Sequence, residues 1–192
     1  MIVTPPAVAG TRNGAAGEVE TISNGKRETY LGIGVEAVPT YSVVFGLAPG
    51  KPFHHKGIGN GYVLRFGETR VYFSVDTVCL PEMKVQRNIV VAFVAANPPR
   101  TMPQAEAAAY VREFCPKIVF AYHYGGQNTQ EVAHALKNTG IEVRLRKLED
   151  EPQALKKEPW YDSPSLSGCR DRGDIDLGPV VELSHSRDAA HC

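Results

Sequence analysis

Four side chains in this sequence have the types and settings to bind a metal ion: Asp76, His123, His54 and His55. Asp76 follows the strand-like run Arg70-Val71-Tyr72-Phe73-Ser74-Val75, and His123 follows Val119-Phe120-Ala121-Tyr122. Each run is largely apolar and delivers one carboxylate or imidazole at its C-terminal end. A metal site made from strand ends needs that layout, because the sheet fixes the ligands while the following loops leave room for a substrate. Plainer uses exist for both residues. A strand-end aspartate can satisfy backbone N–H groups, and a lone histidine after an apolar strand can be an ordinary core residue. His54 and His55 stand in a loop ahead of a strand, beside Lys56. They are candidates for a third ligand or a substrate contact, and taken alone they read as solvated loop histidines.

Periodicity outlines the elements that must position these groups. Leu31 to Val38 places apolar residues at alternate positions, a strand pattern. Val43 to Asn60 is loop-like, with Pro49, Pro52 and several glycines. Tyr62 to Phe66 and Arg70 to Val75, joined by Gly67-Glu68-Thr69, read as a hairpin. Asn88 to Ala95 is a continuous apolar run, as in a strand buried on both faces. Gln104 to Phe114 puts Ala107, Tyr110, Val111 and Phe114 on one helical face, with Pro103 near the first turn. Lys117 to Tyr122 is a short strand. A second helix starts at Asn128, with Glu131 three residues on, and stops at Asn138-Thr139-Gly140. Ile141 to Leu148 alternates apolar and charged residues like an edge strand. From Glu149 to Cys192 the chain is rich in Pro, Ser, Asp and Arg, which reads as a loosely ordered polar tail. Hairpin, strand, helix, strand, helix, strand in that order predicts an α/β layered domain.

Composition removes several function classes. The chain has 192 residues, 43% hydrophobic and 22% charged, enough for one domain with a sizeable core. Its 21 basic and 21 acidic residues cancel, so there is no electrostatic footprint for nucleic acid or an anionic membrane. No apolar run approaches the ~20 residues that cross a bilayer, and no charged-then-apolar leader opens the chain. The four cysteines form no C-x-x-C pair, and a cytoplasmic location is expected. Gly57-Ile58-Gly59-Asn60-Gly61 precedes a strand instead of opening a helix, which argues against a phosphate-binding loop.

Seven segments then occur in a telling order. They are Val38-Pro39-Thr40-Tyr41, Phe53-His54-His55-Lys56-Gly57, Gly61-Tyr62-Val63-Leu64 and Arg70-Val71-Tyr72-Phe73-Ser74-Val75-Asp76-Thr77, followed by Pro81-Glu82-Met83, Met102-Pro103-Gln104-Ala105-Glu106-Ala107 and His123-Tyr124-Gly125. Each is weak alone. Together the stretch from about Ile2 to Leu148 resembles the later part of the metallo-β-lactamase-fold hydrolases, in the branch of ascorbate-phosphate lactonase-like and N-acyl-phosphatidylethanolamine phospholipase-like proteins. The resemblance implies an αββα-type layered fold, represented mainly by its later half, with a partial domain over 1–148 and the tail over 149–192. It implies zinc or another divalent transition metal, held by Asp76 and His123. It also implies a small-molecule substrate whose ester, lactone or phosphodiester bond is hydrolysed by metal-bound hydroxide.

Three departures from the family pattern matter. Val75 stands where the family has a glycine before the aspartate, which puts the aim of the Asp76 carboxylate in question. Ser42 lies near a strand end where phospholipase-like relatives place a metal-binding histidine, and a neutral hydroxyl is a poor zinc ligand. The family's H-x-H-x-D-H motif is absent from the chain. On this reading the sequence resembles an N-terminally truncated member with weakened metal occupancy and apolar strand faces open to self-association. The alternative expectation is a non-catalytic member that serves as an interaction module or is an incomplete gene product.

Overall fold

The computed structural model describes residues 1–10, 17–43, 46–48 and 51–146. The polar tail over 149–192 and the last two residues of the expected edge strand lie outside them. The chain begins with β1 (Ile2–Thr4), α1 (Pro6–Ala9) and β2 (Val19–Thr21), followed by β3 (Arg27–Tyr30) and β4 (Ile33–Thr40). Two short strands, β5 (Gly46–Ala48) and β6 (Lys51–Pro52), precede the hairpin of β7 (Gly59–Phe66) and β8 (Thr69–Phe73). Then come α2 (Pro81–Lys84), β9 (Val91–Ala95), α3 (Gln104–Phe114), β10 (Ile118–Tyr122), α4 (Gln130–Ala135) and β11 (Glu142–Val143). A seven-stranded mixed sheet in the order β11-β10-β9-β8-β7-β4-β3 organises the molecule, with β1–β2 and β5–β6 as separate pairs.

The directions of these strands decide where chemistry can occur. β8, β9, β10 and β11 are mutually parallel, β7 is antiparallel to β8, and β4 is antiparallel to β7. Two reversals restore the original direction, so β4 runs the same way as β8, β9 and β10. The C-terminal ends of all four therefore share one edge of the sheet.

One face of the sheet is covered by helices. Val38, Val63, Tyr72, Ala92, Val94, Val119 and Ala121 pack with Ala107, Ala108, Tyr110, Val111 and Phe114 of α3 and with Val132 and Leu136 in and after α4. The expected helical face thus forms, and each fully buried large side chain in it contributes about 1.5–3 kcal/mol. On the opposite face, Ile22, Val35 and Ala37 form a second core with Val3, Ile33, Tyr62 and Leu64. Further along that face Phe73 stacks on Phe93 at 4.6 Å, and Phe93 on Phe120 at 5.0 Å. This is why Val91–Ala95 reads as apolar at every position: alternate residues serve the helix layer and an aromatic row.

Several boundaries differ from the sequence expectation for local reasons. Leu31 belongs to the β3–β4 turn, at φ 50° and 85% exposed, with Gly32 beside it at φ 79°; β4 therefore starts at Ile33. Asn88 at φ 56° interrupts the apolar run, so β9 begins at Val91 while Ile89 inserts into the core. The opening segment supplies β1 and β2, which composition alone does not suggest. Asn128 Oδ1 accepts the Gln130 N–H at 3.1 Å, as a capping asparagine should, although the hydrogen-bonded body of α4 begins only at Gln130. Asn138 and Gly140 after α4 take the positive φ angles that end a helix. Among the described residues, no helix is long and apolar enough to cross a membrane.

Candidate metal centre

Asp76 lies three residues beyond β8, and His123 directly follows β10, both at the shared carboxyl edge. Between those strands lies β9, so the two side chains converge across its end. His123 Nε2 is 3.7 Å from Asp76 Oδ1. His54 arrives from the loop after β6 and places its Nε2 3.6 Å from Asp76 Oδ2. Each of the three side chains is about one-third exposed, so the cluster is open to solvent on one side and backed by protein on the other.

Backbone conformation aims these groups. Val75 is at φ 54° and His123 at φ 49°, both left-handed. A β-branched residue in that region is a true outlier. Val75 therefore adopts a left-handed conformation suited to glycine, in the turn that presents Asp76. Below the turn, buried Ser74 accepts the Ala95 N–H on its Oγ at 2.9 Å, tying β8 to β9. Thr77 is fully buried, and its hydroxyl contacts the Tyr41 carbonyl at 3.4 Å and the Val78 carbonyl at 3.1 Å.

His54 is held from two directions. Its carbonyl accepts the Ser42 N–H at 2.8 Å, and its Nδ1 lies 3.3 Å from the Ser42 hydroxyl. Ser42, just past β4, thus stands at the shared edge and orients a neighbouring imidazole. With a proton on Nδ1, donated to Ser42 Oγ, Nε2 is the free lone pair facing Asp76. His55 is exposed, and its carbonyl accepts the Ile58 N–H at 3.3 Å; the structure does not bring it to the Asp76 cluster.

A second group borders the cluster, made of residues that the sequence motifs contain without marking. Tyr41 Oη donates to Glu82 at 3.2 Å, and Lys56 Nζ lies 3.6 Å from the same carboxylate and 4.9 Å above the Tyr41 ring. Burial, then the Glu82 charge, raise the Tyr41 phenol above its ordinary pKa, so it remains a donor. The signal for this group was the ordered recurrence of Tyr41, Lys56 and Glu82 in three separate motifs.

The donors present can be tested against a metal. His123 Nε2 is buried without a hydrogen-bond partner. Its 3.7 Å gap to the carboxylate, like the 3.6 Å gap of His54, exceeds hydrogen-bond reach. Both lie near the roughly 3.4 Å that separates two ligands of a tetrahedral ion with bonds of about 2.1 Å. Nitrogen and oxygen donors of this kind suit a divalent transition metal. The contacts are pairwise, one imidazole to each carboxylate oxygen. Among the described residues, no group of three or more His, Cys, Asp or Glu side chains is gathered so that one ion could be held by all of it.

Comparison with solved structures places this architecture. A Parabacteroides distasonis ATCC 8503 protein assigned as a metal-dependent hydrolase is 36% identical, with a TM-score of 0.69 over 77% of this chain and 64% of its own. Igni18, a metallo hydrolase of Ignicoccus hospitalis KIN4/I, is 17% identical, with a TM-score of 0.59 over 75% of this chain and 64% of its own. The metallo-β-lactamase-fold protein YhfI of Bacillus subtilis is 11% identical, with a TM-score of 0.52 over 67% of this chain and 53% of its own. The chain thus spans less than two thirds of the length of each. No family model and no curated protein matches the sequence. The architecture shared with such proteins is a metallo-hydrolase-like fold, and its parallel sheet edge brings His54 and His123 each toward one oxygen of Asp76. This chain is a metallo-β-lactamase-fold protein.

Proposed function

We propose that the chain acts in metal-dependent hydrolysis of a small-molecule ester, lactone or phosphodiester. The observation that carries this reading is the placement of His54 and His123 on opposite oxygens of Asp76, at the edge where β4, β8, β9 and β10 all end. The likeness to the 36%-identical protein assigned as a metal-dependent hydrolase supports it, and the motif order supports the lactonase-like and phospholipase-like branch. Asp76 would hold the ion together with His123, or with His54 on its other oxygen, with zinc the first candidate for such donors. When bound, a divalent ion supplies Lewis acidity toward the substrate oxygen and activates water at neutral pH.

The protein's own residues do the rest. Asp76 turns one oxygen toward each imidazole. Ser42 holds the His54 ring with Nε2 facing inward. Lys56, held between the Tyr41 ring and Glu82, sets a positive charge at the rim, where an anionic substrate group can dock.

The test is the transition-metal content of the purified protein beside Asp76→Ala, His123→Ala and His54→Ala. Near-stoichiometric metal, lost in the first two variants and reduced in the third, is expected. Less than roughly 0.1 ion per chain after exposure to excess zinc would overturn the reading and favour a non-catalytic member.

A further inference from the structure

β9 lies between β8 and β10, so the segment leaving it, Ala96-Asn97, stands between the strand ends that carry Asp76 and His123. Asn97 is 4% exposed. Its backbone is committed to its own turn: its N–H donates to Thr101 Oγ1 at 2.7 Å, and its carbonyl accepts the N–H groups of Arg100 and Thr101, each at 2.9 Å. Its side-chain Oδ1 is buried without a hydrogen-bond partner. No hydrogen bond to that oxygen explains why an amide occupies this position, and such a group costs about 1–3 kcal/mol when left unpaired.

Packing supplies a reason. A Cβ built on Gly125 would lie 2.6 Å from Asn97 Oδ1, 2.8 Å from Nδ2 and 2.9 Å from Cγ. With Oδ1 and Nδ2 nearer than Cγ, the polar end of the amide fills the space that a side chain at position 125 would need. Gly125 belongs to the turn that carries His123, in which His123, Gly125 and Gly126 are all left-handed at φ 49°, 54° and 79°. A histidine at such an angle costs about 1–2 kcal/mol and persists only where its surroundings over-determine it. A further tie to this segment is the Ala96 N–H, which donates to the Tyr122 carbonyl at 3.2 Å.

We infer that Asn97 is a positioning residue: the polar end of its amide, packed beside Gly125, fixes the left-handed turn that aims His123 at Asp76. Gly125 is then required for close approach as well as for its φ angle. The inference rests on the reading of His123 as a metal ligand, and its test separates the two.

The variants are Asn97→Ala, Gly125→Ala and the double variant, with Asn97→Ser in place of Asn97→Ala if that protein does not fold. The first readout needs no metal. The His123 ring resonance in a carbon–proton spectrum, assigned by its loss in His123→Ala, shifts in both single variants while that of His134 does not. The second is cobalt(II) affinity by absorbance titration. Each single variant weakens cobalt(II) binding by about tenfold or more, as loss of an orienting partner does. The double variant is far less impaired than the product of the two, because Asn97→Ala vacates the space that the new methyl needs. Unshifted His123 resonances in both single variants overturn the inference, as do cobalt(II) losses that simply multiply. A wild-type protein that binds no cobalt(II) overturns the metal reading, while the ring resonances still decide the role of Asn97.

Discussion

Replacing Val75 tests whether the turn before Asp76 is strained as its geometry implies. At φ 54°, Val75 sits where a non-glycine residue costs about 1–3 kcal/mol, and a β-branched side chain belongs at the upper part of that range. Val75→Gly removes about 2 kcal/mol of strain. Against this stand about 1 kcal/mol of added backbone entropy in the unfolded chain and about 1 kcal/mol of lost burial for a half-buried valine. The terms nearly cancel, so Val75→Gly should leave stability within about 1 kcal/mol of wild type. Val75→Ala loses somewhat less burial but keeps a Cβ at a left-handed position, and it should be less stable than Val75→Gly by roughly 0.5–1 kcal/mol. Glycine beating alanine inverts the usual order for a residue next to a strand. The assay is urea unfolding of the chelator-treated proteins, comparing midpoints at a common slope. If Val75→Ala proves the more stable of the two, the left-handed assignment and the strain argument both fail. A further consequence concerns metal: with strain relieved and the turn retained, Val75→Gly should bind zinc at least as tightly as wild type.

Three other outcomes follow from particular contacts. The Tyr72 and Tyr110 hydroxyls, both fully buried, are 3.1 Å apart. Tyr72→Phe or Tyr110→Phe alone should cost about 1–3 kcal/mol in urea unfolding, whereas the double variant should return to within about 1 kcal/mol of wild type. Ser42→Ala removes the partner of His54 Nδ1 and should weaken zinc binding by about 10–100-fold in chelator competition, with little change in thermal midpoint. Burial raises the Glu106 carboxyl above its usual value, opposed by the hydrogen bond from the Cys79 N–H. A carboxyl with a raised folded-state pKa contributes stability that is full below its unfolded value and is lost as pH rises through the folded value. Glu106→Gln, which keeps an acceptor for Cys79, should therefore raise the thermal midpoint at about pH 8 and change it little at about pH 4, as calorimetry can check.

Local signals in the sequence account for part of this molecule. The apolar face of α3 and the strand ends at Asp76 and His123 were legible because each depends on residues a few positions apart, where periodicity reports burial directly. β3 was not, because Arg27-Glu28-Thr29-Tyr30 is an edge strand with mostly exposed side chains and leaves no hydrophobic record. Leu31 misled for the opposite reason: an apolar residue in a turn resembles the start of a strand until its φ angle is known. His54 could be paired with Asp76 only through contacts across the fold. Its approach depends on Ser42, twelve positions earlier, whose own place depends on β4 pairing with β7. Asn97 carried no sequence signal, since its effect on Gly125 is a contact between the ends of two neighbouring strands.

The sheet topology explains why such distant residues meet. A carboxylate after β8 and an imidazole after β10 share an edge because both strands belong to the parallel set, separated only by β9. Ser42 after β4 joins them because the β7–β8 hairpin interposes a second reversal between β4 and β8. Had β4 paired directly with β8 in antiparallel fashion, Ser42 would lie at the opposite edge, roughly five residues times 3.3 Å away along the strand. The hairpin is thus more than a connection. Its turn at Gly67, φ 59°, sets the register in which Tyr62 faces Phe73, and through β7 it sets the height at which β4 ends. A one-residue slip in that register would invert every side chain of β7, moving Val63 out of the helix-covered core and Tyr62 and Leu64 out of the opposite one, so the two cores oppose it. Both packed faces of the sheet therefore hold the three groups around Asp76 in place, although none of those groups lies within either core.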